Sequence, residues 1–286
     1  MSNLLLHPNT EKQLDDYVAN PSHAITIVAP TGSGKHSVAL MLASKLLAVK
    51  PERLTNHPYF KLIIPHDSKA IGIEAIRELE HFLSLKVPSH AKLHRVIIIE
   101  DAQLLTIEAQ NAFLKTLEEP PMGTVFILTS SHDQSLLPTI RSRSPKIILT
   151  RPNFEDLRLY FNNIYNDETE VKQAIMISGG LPGLTDALLS QNTDHPLFPA
   201  TLLARKLLSE TTYERLLHTD ELVKDRSLFL NCLFILQQMA HLSLLTVGGK
   251  SSSKWLSILM ASYRAEESLL ANVQPKLVTS DLMLHL

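Results

Sequence analysis

The segment R-V-I-I-I-E-D, residues 95–101, decides the fold, because an apolar run ends there in two adjacent carboxylates. Its four consecutive β-branched residues, 96–99, predict a strand buried on both faces, as in a parallel sheet covered by helices. Glu100 and Asp101 would then lie at the carboxyl edge of that strand, where ligands bind in open α/β sheets. Two acids at this edge suit a metal-bound nucleotide better than they suit core packing.

The residues after this strand continue the α/β pattern. Thr106 predicts a helix N-cap, with Glu108 favourably placed in the first turn and Pro120 and Pro121 ending the helix. A second strand is predicted over residues 124–129. It leads into a polar cluster of Ser130, Ser131, His132 and Asp133.

Upstream, A-P-T-G-S-G-K-H-S follows a predicted strand over residues 24–29 and begins a predicted helix over residues 35–49. In a P-loop, glycines let backbone N–H groups surround phosphate oxygens, the lysine binds the β- and γ-phosphates, and the next hydroxyl residue binds magnesium. Gly34 and Lys35 fit this pattern. The candidate ATP site is therefore a degenerate one made of Gly32, Gly34, Lys35, His36, Glu100 and Asp101.

This loop departs from the P-loop pattern in ways that weaken ATP and magnesium binding. Ala29 replaces the first glycine, and His36, which has no hydroxyl, replaces the magnesium ligand. The order Glu100-Asp101 also reverses the usual Asp-Glu order, in which the first acid positions magnesium and the second the attacking water. Two interpretations stay open: an inherited turn that keeps its shape without a ligand, and weak nucleotide binding. Efficient hydrolysis is favoured less than either.

Three segments, in order and correctly spaced, resemble the AAA+ clamp-loader subunits of bacterial DNA polymerase III and, more distantly, replication factor C. They are N-A-F-L-K-T-L-E-E-P-P (111–121), V-F-I-L-T-S-S (125–131) and L-L-P-T-I-R-S-R-S (136–144). The resemblance implies an α/β P-loop AAA+ core with a parallel sheet, then a small helical lid and an all-helical C-terminal collar. The implied domains are residues 1–150, 151–193 and 194–286.

The last of these segments looks like the Ser-Arg-Cys motif of the family, with Ser144 in place of cysteine. The resemblance therefore implies that Arg143 is an arginine finger, which acts in trans on the ATP site of a neighbouring subunit. We expect Arg143 to be exposed in an extended segment, with Arg141 pointing the same way. In the lid, Pro182 occupies the position nearest to the arginine that touches the γ-phosphate in motor subunits of the family.

From about residue 194 the pattern is helical, and one wide apolar face predicts a partner surface. That face comprises Phe229, Leu233, Leu236, Met239 and Ala240. The resemblance makes this region the collar that joins the subunits of the ring. An ordinary helical domain that packs on itself is the alternative.

Composition limits the remaining choices. A length of 286 residues predicts two or three domains, and a net charge of −2 gives no general positive field for nucleic acid. Cys232 is the single cysteine, which excludes disulfides and cysteine-based zinc sites. It lies in an apolar run and is expected to be buried. We expect a cytoplasmic protein without a membrane segment, because polar residues interrupt the apolar run 228–245.

The sequence thus predicts a delta prime-like subunit of the clamp loader, without ATPase activity of its own and without zinc. It would brace the ring that loads the sliding clamp onto primed DNA, within the DNA polymerase III holoenzyme. The implied partners are gamma/tau-like and delta-like subunits, the clamp, and primer-template DNA through the assembly. The alternative is an active gamma/tau-like ATPase, which Ala29, His36 and Pro182 oppose. A small-molecule kinase would leave L-K-T-L-E-E-P-P and S-R-S unexplained.

Overall fold

A parallel sheet of five strands forms the centre of the N-terminal half of the chain. The computed structural model describes residues 4–65, 70–85, 95–246 and 251–286. Within them the strands are β1 (Ala24–Val28), β2 (Phe60–Ile63), β3 (Arg95–Ile99), β4 (Thr124–Ser130) and β5 (Lys146–Ile148). Their order across the sheet is β2-β3-β4-β1-β5, and every pairing is parallel. The predicted α/β fold is confirmed.

Helices cover both faces of this sheet. They are α1 (Pro8–Ala19), α2 (Lys35–Leu47), α3 (Pro51–Leu54), α4 (Ile73–Ser84), α5 (Ile107–Glu118) and α6 (Pro138–Arg143). Residues of β3 alternate between two hydrophobic cores, because Ile97 and Ile99 pack with α4 and α5 while Val96 and Ile98 pack with α2. A strand that is buried on both faces favours apolar residues on both of its sides, which explains the run of residues 96–99.

The segment that contains Arg143 is helical, so the expectation of an extended segment is wrong. Pro138 occupies the first turn of α6, where its fixed φ favours a helix and its missing N–H costs nothing. The backbone N–H of Arg141 donates to Leu137 O at 3.1 Å. Residues two apart on a helix differ in direction by about 200°. Arg141 and Arg143 therefore do not point the same way.

The chain divides into two compact units, Met1–Arg151 and Pro152–Leu286, and the second unit is helical. Its helices are α7 (Phe154–Asn162), α8 (Glu168–Ile177), α9 (Pro182–Leu189), α10 (Phe198–Ser209), α11 (Thr212–Leu217), α12 (Thr219–Lys224), α13 (Arg226–Thr246), α14 (Ser251–Leu270) and α15 (Pro275–His285). Leu181 and Leu184 share one hydrophobic core with α10 and α13 to α15. A finer division at residue 193 stays a prediction.

The apolar face of α13 lies inside this unit. Its five residues named above are at most 7% exposed and pack in the shared core. The inference of a partner surface from that face is therefore wrong, because α10 and α14 cover it. Among the described residues, α13 is the one helix long and apolar enough to cross a membrane, with a mean hydropathy of 1.6.

A different apolar surface remains exposed on the side of α14 opposite the core. Its residues are between 44% and 64% exposed, and they recur at helical spacing: Leu256, Met260, Tyr263 and Leu270. Ile258, Ala261, Ala265 and Leu269 form the buried side of the same helix. We call the exposed set the α14 face.

Candidate functional site

The loop between β1 and α2 combines two glycines of left-handed conformation with the start of a helix. Gly32 and Gly34 have φ angles of 83° and 85°, in the left-handed region that favours glycine. Helix α2 begins directly afterwards at Lys35. At the start of the loop, the N–H of Ala29 donates to Ser130 O at 3.0 Å, which joins the loop to the end of β4.

Lys35 turns inward and is satisfied by the protein itself. Its side chain is 7% exposed, and Nζ lies 2.8 Å from Asp101 Oδ1. The same Nζ donates a hydrogen bond to Ser131 Oγ at 2.6 Å. The Ser131 hydroxyl also lies 3.3 Å from Thr31 Oγ1 in the loop. The group that would bind the β- and γ-phosphates is thus already paired with an anion.

His36 pairs with Glu100, the other acid at this edge. Its Nδ1 lies 2.8 Å from Glu100 Oε2. This hydrogen bond raises the pKa of His36 above its ordinary value, and the charges of Glu100 and Asp101 act in the same direction. Partial burial of the ring lowers the pKa and opposes them. The arrangement favours an imidazolium beside a carboxylate.

Asp101 is positioned by an unusual backbone and by polar neighbours. It has a φ of 47°, in the left-handed region, and its N–H donates to Thr129 Oγ1 at 3.0 Å. Gln103 Nε2 donates to Asp101 Oδ1 at 3.0 Å, and the N–H of Ser131 donates to Gln103 Oε1 at 3.1 Å. We define the polar network as Lys35, His36, Glu100, Asp101, Gln103 and Ser131.

The structure brings Lys35, His36, Glu100 and Asp101 together, as expected for residues at the carboxyl edge of parallel strands. Two residues of the polar network, Ser131 and Gln103, were not predicted as site residues from the sequence. Ser131 belongs to the polar cluster that follows β4, and this position could have identified it. For Gln103, which lies in a short 3-10 helix after β3, nothing in the sequence pointed to a role.

The residues at this edge lack one magnesium ligand of a P-loop protein. Magnesium prefers oxygen ligands, typically a carboxylate and a hydroxyl in a P-loop protein. Here an imidazole stands at the hydroxyl position and is bonded to Glu100, while Asp101 is bonded to Lys35. Ser37, one position later, is exposed on α2. The acids are therefore used within the protein.

Arg143 lies apart from the polar network, at the last position of α6. Its Nη2 is 2.9 Å from Glu118 Oε1 at the end of α5, and its side chain is 35% exposed. Nη1 donates to Thr139 O at 3.1 Å. Within the described part of the chain, the side chain of Arg141 forms no ion pair or hydrogen bond. The arginine predicted as the finger thus has its own carboxylate partner.

Ser144, at the third position of the S-R-S motif, is buried. Thr26 Oγ1 in β1 donates to Ser144 Oγ at 3.0 Å, and Ser144 Oγ donates to Ile140 O at 2.8 Å. The hydroxyl therefore joins the end of α6 to β1 of the sheet.

Comparison with known proteins assigns the chain to a family. The family model described as DNA polymerase III, delta subunit, matches residues 7–153, slightly more than half of the chain. This chain belongs to that family. The delta' subunit of DNA polymerase III from Escherichia coli (strain K12) is 31% identical over 202 residues, which cover 64% of this chain and 59% of that protein.

Other members of the same polymerase system are also similar. The tau subunit from Bacillus subtilis (strain 168) is 29% identical over 186 residues, which cover 58% of this chain and 32% of that protein. The matches thus span less than two thirds of the length of both relatives. The crystal structure of a gamma subunit-related protein from Thermotoga maritima aligns over 96% of this chain and 97% of that chain, with 21% identity and a TM-score of 0.49.

Proposed function

We propose that this chain is a delta prime-like subunit of a bacterial clamp loader that does not hydrolyse ATP itself. It braces the ring that loads a sliding clamp onto primed DNA. The observation that supports the proposal is the polar network, in which Lys35 and His36 are each paired with an acid of the same sheet edge. Membership of the delta subunit family and the similarity to delta' subunits support the same assignment.

The free-energy cost of nucleotide binding favours a subunit without ATPase activity. A nucleotide would have to separate Lys35 from Asp101, and taking the cation away from this partly buried carboxylate costs about 1–3 kcal/mol. Micromolar binding provides about 8 kcal/mol. Breaking the internal pair would therefore use part of the affinity that phosphate contacts can supply. The lack of a hydroxyl next to Lys35 removes a metal ligand as well.

The direct chemical role that we propose belongs to Arg143. In the assembly it reaches the ATP site of a neighbouring gamma/tau-like subunit and stabilises the charge that develops on the transferred phosphoryl group. Partial exposure at the end of a short helix supports this role. An arginine finger in trans is worth about 10³ to 10⁵ in rate, whereas an ordinary surface arginine contributes almost nothing.

Assembly is proposed to depend on the C-terminal collar, residues 194–286, and within it on the α14 face. Leu256, Met260 and Tyr263 lie at positions i, i+4 and i+7, which form one stripe on a helix. A partner helix could bury this stripe by the packing that joins helices elsewhere in proteins. Gamma/tau-like and delta-like subunits are the proposed occupants.

The decisive experiment coexpresses the chain with its partner subunits and measures the mass and the ATP turnover of the assembly. We expect a stable hetero-oligomer, and no turnover by the purified chain above background. Arg143→Ala should lower the DNA- and clamp-stimulated turnover partially, because one of several sites is affected, while Arg141→Ala leaves it unchanged. Magnesium-dependent ATPase activity of the chain alone, lost in Lys35→Ala, would instead identify a motor subunit.

A further inference from the structure

The two motifs L-E-E-P-P and S-R-S meet at one ion pair. Glu118 is the last residue of α5 and Arg143 is the last residue of α6. The distance of 2.9 Å between Glu118 Oε1 and Arg143 Nη2 joins the two helix ends. The proposed function uses Arg143 and leaves the acid unexplained.

Glu118 lies where its charge is locally unfavourable. The C-terminal end of a helix carries partial negative charge, so a carboxylate there is disfavoured and a cation is favoured. The negative charge of Glu118 at the C-terminal end of α5 is therefore unfavourable, whereas the positive charge of Arg143 at the C-terminal end of α6 is favourable. Glu119 follows directly and forms no ion pair or side-chain hydrogen bond within the described residues. Of the two adjacent acids, only Glu118 contacts the arginine.

The bonds of Arg143 leave part of its guanidinium available. A guanidinium has five N–H donors in a fixed plane. Nη1 donates to Thr139 O and to Ser142 Oγ, and Nη2 contacts Glu118. The Nε–H and one N–H of Nη2 remain for an incoming phosphoryl oxygen. The contacts therefore restrain the side chain without using all of its donors.

We propose that Glu118 is a positioning residue for Arg143, an inference that rests on the proposed role of Arg143 in trans. Arginine has many rotamers, and ordering it during docking costs conformational entropy. Glu118 and Thr139 restrict those rotamers before the neighbour arrives, so less ordering is left for the transition state. The contribution is made in the transition state, and its loss lowers kcat without changing KM for ATP.

The test uses the complete clamp loader and compares Glu118→Gln with Glu119→Gln. Both substitutions remove one negative charge from neighbouring residues, but only the first loses the partner of Arg143. Looser positioning should slow the affected ATP site about three- to tenfold. Glu118→Gln should therefore abolish about two thirds or more of the stimulated turnover that Arg143→Ala abolishes. Glu119→Gln should match wild type, and KM for ATP should stay the same in both.

The double variant Glu118→Gln/Arg143→Ala separates positioning from a structural effect. It should equal Arg143→Ala alone, because Glu118 acts through the arginine, whereas a structural effect would add to the loss. If Arg143→Ala slows turnover while Glu118→Gln does not, or if the effects add, the positioning role is wrong and the finger stands. If Arg143→Ala has no effect, the proposed function fails and the inference fails with it. An exposed ion pair contributes little to folding, so all variants should assemble.

Discussion

Lys35 and Lys45, both on α2, each form an ion pair with an aspartate at the same N–O distance. The pair of Lys35 with Asp101 is much less exposed than the pair of Lys45 with Asp15. Lys35 Nζ is 2.8 Å from Asp101 Oδ1, and Lys45 Nζ on the outer side of α2 is also 2.8 Å from Asp15 Oδ1. Lys35→Ala should lower the free energy of unfolding by about 1–3 kcal/mol, because Asp101 loses its cation in a partly buried position. Lys45→Ala should cost at most about 1 kcal/mol.

Urea unfolding of the purified chain measures both changes. If the proposed function is right, Lys35→Ala should leave ATP turnover of the assembled clamp loader close to wild type, because the lysine is already paired within this chain. If both variants lose the same small amount of stability, the Lys35–Asp101 pair stabilises the fold no more than the exposed Lys45–Asp15 pair does. If ATP turnover by the assembly falls strongly while the stability of this chain does not change, Lys35 has a nucleotide-binding role.

The pairing of His36 with Glu100 makes stability depend on pH in a defined direction. The folded state raises the pKa of His36, so the protonated ring is favoured in the folded protein. The resulting stability is fully present below the unfolded pKa of about 6.5 and is lost as pH rises through the higher folded-state pKa. His36→Gln should therefore lower the melting temperature most at mildly acidic pH.

Melting curves of wild type and His36→Gln over this pH range supply the measurement. In a Glu100→Gln background, the same comparison should lose most of its pH dependence, because the main cause of the raised pKa is gone. A difference that grows as pH rises would contradict the sign derived from the geometry.

The core of the fold was predictable because each strand has a simple local signature. The run 96–99 has no polar residue, so it had to lie between two layers, and Thr106 caps α5 by accepting a hydrogen bond from the N–H of Ala109 at 3.2 Å. The conformation at Arg143 was not predictable in the same way. Pro145 disfavours a helix at Ser144, whereas Pro138 favours the start of one, and the second effect determines residues 138–143.

The candidate site was predictable only in part. Residue types at a sheet edge indicate which groups meet, but not whether they bind a ligand or one another. That depends on distances such as those from Lys35 to Asp101 and Ser131, which no spacing in the sequence determines. The same limit explains the error at α13, where a broad apolar face indicated burial but not whether the covering surface was internal.

Gly179 should tolerate no side chain. It has a φ of 65°, and a Cβ atom added there would lie 2.4 Å from Gln238 Cβ on α13 and 2.7 Å from its carbonyl carbon. Gly179→Ala should cost about 2–4 kcal/mol, because the backbone is strained and α13 must shift. Gly72→Ala is the control, since a Cβ there meets nothing within 4 Å. Its effect should stay within about 1 kcal/mol.

Equilibrium unfolding monitored by circular dichroism compares the two glycine variants. Equal effects would show that the close approach between Gly179 and Gln238 is relieved without cost. The same instrument would reveal whether Gly179→Ala changes the helix content of the second unit.

The α14 face should be sensitive to charge. Met260→Asp places a carboxylate in the centre of the proposed contact and should weaken assembly at least about tenfold, because an apolar side chain is lost and a charge is desolvated. Ser257→Asp adds the same charge on the same helix, nearer the edge of the exposed side, and should have a smaller effect. Sedimentation with the partner subunits measures both. Undiminished assembly of Met260→Asp would exclude this face as the contact.

The presence of serine at position 144 also affects how the chain reacts with oxidants. Because serine stands where the family motif has cysteine, the only thiol in the sequence is Cys232. That thiol is fully buried, and burial raises its pKa to about 12. Peroxide and alkylating reagents attack the exposed thiolate, so the folded chain offers them no reactive sulfhydryl. The end of the helix that bears Arg143 therefore carries no thiol that could form a sulfenic acid.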